Sequence, residues 1–416
     1  MKTIFAMFGA TRYWEKTALE AAAAQIEMTM KGVADECILV TDGVFPAGIP
    51  QKDAACIILP MSGAVQAPLV AFASGFGKVT LFAGYVEGNF GAGLRHDMLR
   101  LNAAPTLMDS WAVLKRTHAN VSLCLSRDEL TPANPPEAMG KLLLIGGIEP
   151  WVISASRDFA AYEKAGVTVQ QVPQEELAAL FNAVAPADAD ALTARFTNNA
   201  DACVEPSRTD VEAAARLGIA LERLLVRENA DGAAIACFNL IPQLGTTSCL
   251  AVSHINESTR FAAACEGDLD SAVTMLLMKR VTSMGVWMAN PNLQADGSVN
   301  FAHCTAPLSV CGQTCRFVLR NHHESGRGVS PEVHFPTGGR VTLCRFSAAE
   351  GKLTAMGGIA EPGEREETCR TQLRVRPDDF GRYLETALGC HQVLAFEDIG
   401  AELRALGRSL GLTVVS

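Results

Sequence analysis

Along the first 140 residues, short apolar runs alternate with stretches of helical spacing. Residues 1–10 read as a first strand running into a helix. Residues 37–40, 56–59 and 79–82 have the length and β-branched content of buried strands, whereas 64–75 and 87–103 repeat their apolar positions at helical intervals. Such alternation predicts a parallel sheet with helices on its faces. A Pro-rich stretch at 130–139 reads as a linker. A second α/β unit opens at 141–145, a buried-strand pattern ending in Gly146-Gly147, and continues with helices at 156–165, 174–184, 187–196 and 208–228 and a strand at 233–238. After residue 250 one amphipathic helix, 269–283, is followed by short strands at 299–303, 315–319, 340–346, 352–359 and 367–375. These look antiparallel, as in a barrel or sandwich. A helix at 396–409 and a strand at 411–415 close the chain. The expected domains are 1–140, 141–250 and 251–416.

Composition narrows the functions open to this architecture. Of 416 residues, 49% are hydrophobic and 19% charged, which supplies packed cores and argues against disorder. The formal net charge of -10 gives no electrostatic reason to hold nucleic-acid phosphates. No apolar run approaches the ~18 residues of a membrane span. Residues 1–10 resemble a short signal peptide in apolar content, but Arg12 and the charged helical stretch after it favour a strand followed by a helix. Thirteen scattered cysteines, an odd number with no C-x-x-C pair, fit reduced thiols in a cytoplasmic protein better than a disulfide framework or a zinc ribbon. Cys311 and Cys315, four apart, fall in a loop-and-strand pattern that does not favour a metal site. The arginines after residue 300 are balanced by acids in the same region, although arginine also suits an anionic substrate. Gly146-Gly147 lacks the rest of a G-x-G-x-x-G or P-loop fingerprint, so a turn of positive φ explains it and no nucleotide is expected. G-x-S-x-G and H-E-x-x-H are also absent from the sequence.

Six of the eight histidines and nine of the thirteen cysteines lie from residue 237 onward, which places the chemistry in the C-terminal part. In Ala264-Cys265-Glu266-Gly267-Asp268-Leu269-Asp270, helix capping accounts for Asp268 or Asp270. It leaves Glu266, a carboxylate in a small, apolar context that should want a metal or a proton. His303, in His303-Cys304-Thr305-Ala306-Pro307, sits at a strand end, where metal ligation, proton transfer and a plain backbone hydrogen bond are all open. Asn321-His322-His323-Glu324-Ser325-Gly326-Arg327-Gly328 is a loop dense in donors, able to line a sugar pocket or to be a solvated turn; His323, Glu324 and Arg327 are its candidates. His391, in Gly389-Cys390-His391-Gln392-Val393-Leu394, enters a short apolar strand.

Taken in order, Ala264–Leu269, the segment 286–291 (Val-Trp-Met-Ala-Asn-Pro), His303–Pro307 and Gly389–Leu394 resemble the motifs of the L-fucose isomerase and L-arabinose isomerase-like family, and Glu397-Asp398-Ile399-Gly400 with its helix resembles the family's C-terminal end. The resemblance implies two Rossmann-like parallel-sheet domains, then a C-terminal α+β domain with an antiparallel β-barrel, in a trimeric or hexameric homo-oligomer. It implies aldose–ketose isomerisation of a small, unphosphorylated or anionic sugar through an enediol, with Mn²⁺ or another divalent cation as Lewis acid. Carried over by residue, Glu266 matches a metal-binding and catalytic carboxylate, His391 a C-terminal metal ligand, and His303 a further histidine of the arabinose-type members. The second carboxylate falls at Asn290, whose amide cannot act as a base and offers a metal only a neutral oxygen. Glu324 is the acid that would replace it, with Cys304, His323 and Arg327 as substrate contacts. The departure at Asn290, together with the thiols of Cys265, Cys304 and Cys390, leaves open an epimerase or lyase on the same scaffold, or a sugar-binding protein without turnover.

Overall fold

The computed structural model describes residues 2–45, 54–83, 96–118, 120–124, 139–310 and 312–415. The chain divides into two compact units, Met1–Pro132 and Ala133–Ser416. In the first, five parallel strands, β1 (Lys2–Gly9), β2 (Glu36–Thr41), β3 (Ala54–Pro60), β4 (Lys78–Phe82) and β5 (Val121–Cys124), are ordered β2-β1-β3-β4-β5. Alternate residues of β1 feed two different cores. Phe5 and Met7 pack with Leu19 and Ile26 of the helix Lys16–Thr29, and Ile4, Ala6 and Phe8 pack with Leu69 and Phe72 of the helix Gln66–Ala73. Both faces are therefore buried, which is why the strands read as continuous apolar runs. The helix expected at 87–103 is described as His96–Thr117; residues 87–95 and most of the expected linker, 130–138, lie outside the described residues, as does Cys311.

The second unit contains a parallel sheet of β6 (Gly140–Ile145), β7 (Val167–Val172), β9 (Gly232–Ile235) and β10 (Ala262–Ala264), ordered β10-β9-β6-β7. A two-residue strand, β8 (Ala202–Cys203), lies between β7 and β9 in the chain and pairs elsewhere. Here too alternate residues divide between cores, Leu142 and Leu144 to one and Leu143 and Ile145 to the other. The helix Arg208–Arg227 closes one of them with Leu217, Leu221, Leu224 and Leu225. It starts at a capping box in which Ser207 and Asp210 satisfy each other's backbone N–H groups.

The remaining strands are β11 (Val286–Leu293), β12 (Val299–His303), β13 (Ser309–Val310), β14 (Gln313–Thr314), β15 (Arg316–Arg320), β16 (Ser330–His334), β17 (Arg340–Ser347), β18 (Lys352–Glu361), β19 (Thr371–Pro377), β20 (Gln392–Ala395) and β21 (Thr413–Val415). Seven form a mostly antiparallel sheet, ordered β17-β20-β11-β12-β19-β18-β21, and β17 pairs a second time, with β18. β13 and β14 make a small hairpin, and β16-β15-β8 a three-stranded sheet.

The boundary expected between 250 and 251 does not separate two bodies. β10 lies beyond it, yet is the edge strand of the parallel sheet, and β8 lies before it, yet pairs with β15. One core runs from Leu142 through the helix Leu269–Val281 to Phe346 and Val393. The last strand of the parallel sheet, the buried helix after it and the antiparallel sheet thus share one interior, and the candidate site lies where they meet. No helix among the described residues is long and apolar enough to cross a membrane.

Candidate metal centre

β10 runs out at Ala264, and Cys265-Glu266-Gly267-Asp268 turn the chain into the helix Leu269–Val281. Glu266 and Gly267 both have left-handed backbone, φ 59° and 64°. That conformation costs a non-glycine residue about 1–3 kcal/mol and persists only where neighbours fix it. They do: the Glu266 carbonyl accepts the Glu149 N–H at 3.1 Å, and the Gly267 N–H donates to the Ile235 carbonyl at 2.8 Å. A Cβ on Gly267 would lie 2.1 Å from the Gly147 carbonyl oxygen, so glycine is required there. Gly146 and Gly147 themselves have φ of 79° and 100°, the positive-φ turn expected of that pair.

The turn aims the Glu266 carboxylate into a cavity of about 470 Å³. Oε2 accepts the Trp151 indole N–H at 2.6 Å. Oε1 lies 3.6 Å from His303 Nε2 and 3.6 Å from His391 Nε2. His303 ends β12, and its Nδ1 meets the Thr305 hydroxyl at 2.9 Å. His391 immediately precedes β20, and its Nδ1 lies 2.8 Å from Asp268 Oδ2. His391 Nε2 is buried with no hydrogen-bond partner among the described residues.

Asp268 caps the helix through the Ser271 N–H at 3.0 Å, and it also receives both terminal nitrogens of Arg345, at 2.7 and 3.1 Å. Asp268 and Arg345 are fully buried. Burial alone would raise the Asp268 carboxyl, but Arg345 and His391 outweigh it and hold the group well below the carboxylate range. Glu266 follows the same pattern: burial pushes its carboxyl up, and the two imidazoles that face it, His303 and His391, bring it below its ordinary value. Burial disfavours charge on His391, yet the bond to Asp268 lifts its pKa well above 6.5. Asp270 is pushed up to about 6, first by burial, with Asp268 beside it and Arg345 only partly compensating. Glu149 is raised by burial as well.

Glu266, His303 and His391 bring three ligand atoms within 4.8 Å of one another. Atoms bound at about 2.1 Å to one ion lie roughly 3.0 to 3.4 Å apart for right-angled to tetrahedral geometry, close to the spacing here. Each histidine has its other nitrogen engaged, His391 by a carboxylate and His303 by a hydroxyl, the arrangement that orients imidazole ligands. The unpartnered Nε2 of His391 is what a metal would satisfy. Two imidazoles and one carboxylate suit a first-row divalent ion, and Asn290, half-buried in the same cavity, offers a neutral oxygen beside them.

Of the residues singled out in the sequence, Glu266, Asn290, His303, Cys304, Glu324 and His391 line the cavity. His323 and Arg327 do not; His322, the buried neighbour of His323, lines it instead, and Arg327 is exposed. Trp151, Asp268 and Arg345 complete the site and were not singled out for function. Asp268 is the cap expected, but its bond to a histidine 123 residues away carried no local signal. No protein-family model matches the chain, and no curated protein matches it.

Proposed function

We propose that the protein is a divalent-metal-dependent enzyme acting on a small sugar, an aldose–ketose isomerase in its simplest form. The observation that carries this reading is the convergence of His303 Nε2 and the orphaned His391 Nε2 on one oxygen of Glu266 inside a cavity. The resemblance in sequence supplies the reaction, and the pairing of β17 with β18 supports the barrel that goes with it.

A bound divalent cation supplies a Lewis acid for a sugar carbonyl. The chain's own residues do the rest. Glu266, His303 and His391 hold the cation, with Glu266 fixed by Trp151 and His391 by Asp268. The exposed indole of Trp151, packed edge-on against Phe238 at 5.0 Å, gives the cavity an apolar wall for the C–H face of a sugar. Asn290 has no proton to accept or give as a carboxylate would, so it contributes an amide oxygen or a hydrogen bond to a hydroxyl. The proton transfer falls to Glu324, the other carboxylate among the cavity-lining residues. Its carboxylate takes the proton from C2 of the aldose and returns it to C1, while the hydroxyl proton of O2 passes to O1.

The test is turnover of unphosphorylated aldoses by chelated protein reloaded with Mn²⁺, Co²⁺, Ni²⁺ or Zn²⁺, with incorporation of solvent deuterium at C1 of the ketose product. Glu266→Gln should abolish metal-dependent turnover. Glu324→Gln should lower kcat by about 100-fold or more, the contribution of a positioned base, with metal affinity kept. Stoichiometric metal binding without turnover of any aldose would sink the isomerase reading and favour an epimerase, a lyase or a binding protein on the same site.

A further inference from the structure

The proposed metal centre leaves a cluster of thiols in the cavity wall unused. Cys237, Cys249, Cys265, Cys304 and Cys369 line it, with His322 among them. Free buried cysteine is ordinarily a small apolar filler packed against hydrocarbon. These thiols instead face one another and an imidazole. Ligand atoms of Cys249, Cys304 and His322 all lie within 4.8 Å of one another, and all three residues are buried.

The backbone holds the three rigidly from separate elements. Cys249 opens the helix Cys249–Glu257, and Cys304 directly follows β12. His322 sits in the turn after β15, pinned by its N–H to the Arg327 carbonyl at 3.0 Å and by the Gly326 N–H to its own carbonyl at 2.9 Å. The turn is pressed onto residue 247. A Cβ on Gly328, at φ 58°, would lie 2.5 Å from the Thr247 nitrogen. His322 Nδ1 accepts the Ser325 N–H at 3.3 Å and lies 3.0 Å from the Ser325 hydroxyl, so Ser325 engages Nδ1 and Nε2 is the nitrogen left to bind. When a metal takes the Nε2 lone pair, the ring proton moves to Nδ1, where the Ser325 hydroxyl can accept it.

We infer that Cys249, Cys304 and His322 form a second metal site in this cavity, selective for a thiophilic cation such as Zn²⁺, with its fourth position open to the cavity. Two thiolates and a neutral imidazole are a soft donor set, and three protein ligands with one open position are the pattern of reactive zinc. Two thiolates against a divalent ion also leave the buried site electrically neutral, so it carries no uncompensated charge. On binding, two S–H bonds are exchanged for two S–metal bonds and the two protons pass to solvent. The ligands are distinct from Glu266, His303 and His391, so the inference stands whether or not the isomerase reading does.

Cobalt separates the two centres. The full-length protein is stripped with a chelator under reducing conditions and titrated with Co²⁺, and the near-ultraviolet sulfur-to-cobalt charge-transfer band is followed. A centre of two imidazoles and a carboxylate has no sulfur and gives no such band. Wild-type protein is expected to develop the band with one equivalent bound at this site and to lose it when Zn²⁺ is added. Glu266→Gln should keep the band. Cys304→Ser and His322→Gln should each weaken Co²⁺ binding at the thiolate site by at least ten-fold, while Cys37→Ser, in the other compact unit, leaves it unchanged. Circular dichroism identifies any variant that has not folded, and Cys249→Ser then takes its place. Absence of a charge-transfer band in folded wild-type protein, or a band that survives both Cys304→Ser and His322→Gln, would overturn the inference.

Discussion

Asp268 joins His391 through an Oδ2–Nδ1 contact of 2.8 Å, and the same carboxylate receives two nitrogens of the fully buried Arg345. One side chain therefore caps a helix, neutralises a buried guanidinium and orients an imidazole of the candidate metal centre. Asn caps helices about as well as Asp, so Asp268→Asn separates these roles. It leaves Asp270, at 3.7 Å, as the carboxylate paired with Arg345 among the described residues, beside the Ser271 hydroxyl at 2.6 Å. Stripping a buried ion of its partner costs about 3–5 kcal/mol, so a fall of that order in unfolding free energy is expected. Metal affinity should drop about 10- to 100-fold through loss of the orienting bond. A variant of unchanged stability and affinity would mean that Asp268 neither holds Arg345 nor sets His391.

The turn that carries Glu266 has a stability signature of its own. Gly267→Ala puts a Cβ into a left-handed residue and 2.1 Å from the Gly147 carbonyl. The backbone term alone is about 1–3 kcal/mol, and the clash adds to it. A lower denaturation midpoint with weakened metal binding is expected, because the turn must move Glu266 to relieve the contact. A midpoint unchanged from wild type would show that the loop at 147 yields freely.

Much of this was legible in the sequence, and the misses have physical causes. The buried strands near 37–40, 56–59 and 141–145 were plain because parallel strands covered on both faces are continuously apolar. His303 and His391 could be read as strand-end residues. β11 hid as a strand because its second half carries Asn290-Pro291-Asn292, residues uncommon in sheets. Choosing His322 over His323 was beyond a sequence reading: both lie in one turn, and only packing against Phe238, at 5.8 Å, decides which faces inward. Arg345 did leave a signal. It interrupts the apolar strand Val-Thr-Leu-Cys-Arg-Phe, where a charge survives only with a buried partner. That partner, Asp268, lies 77 residues earlier, and no local pattern names it.

Asn290 offers a test by gain rather than loss. It lines the cavity beside Glu266, His303 and His391, where the sequence resemblance leads one to expect a carboxylate. Asn290→Asp substitutes an anionic oxygen for a neutral one at nearly constant volume. Hard divalent cations prefer anionic oxygen, so Mn²⁺ affinity should rise by about ten-fold or more, with a smaller gain for Zn²⁺. Without metal the new carboxylate repels Glu266, so the chelated variant should be less stable than chelated wild type, and metal should restore it. Calorimetric titration of both proteins measures the gain. Equal Mn²⁺ affinity would place residue 290 outside the coordination sphere.

The loop bearing His322 and Glu324 is anchored by an acid-sensitive tie. Arg320 donates to both oxygens of Glu205, at 2.6 to 2.9 Å, and the Asn321 N–H donates to Glu205 at 3.2 Å. The Arg320 bonds lower the Glu205 carboxyl from 4.5 to about 2, against a smaller upward push from burial. The folded state thus holds the proton more weakly than the unfolded one. Its contribution to stability is complete above pH 4.5 and is lost as the pH falls from there toward 2. The Glu205 side chain is about a third exposed, at 34%, so solvent screens the pair and the contribution is modest. Wild type should exceed Glu205→Gln in denaturation midpoint above pH 4.5, and the two should converge on acidification. A difference that stays constant across that range would mean that Glu205 holds the loop by shape alone, without its charge.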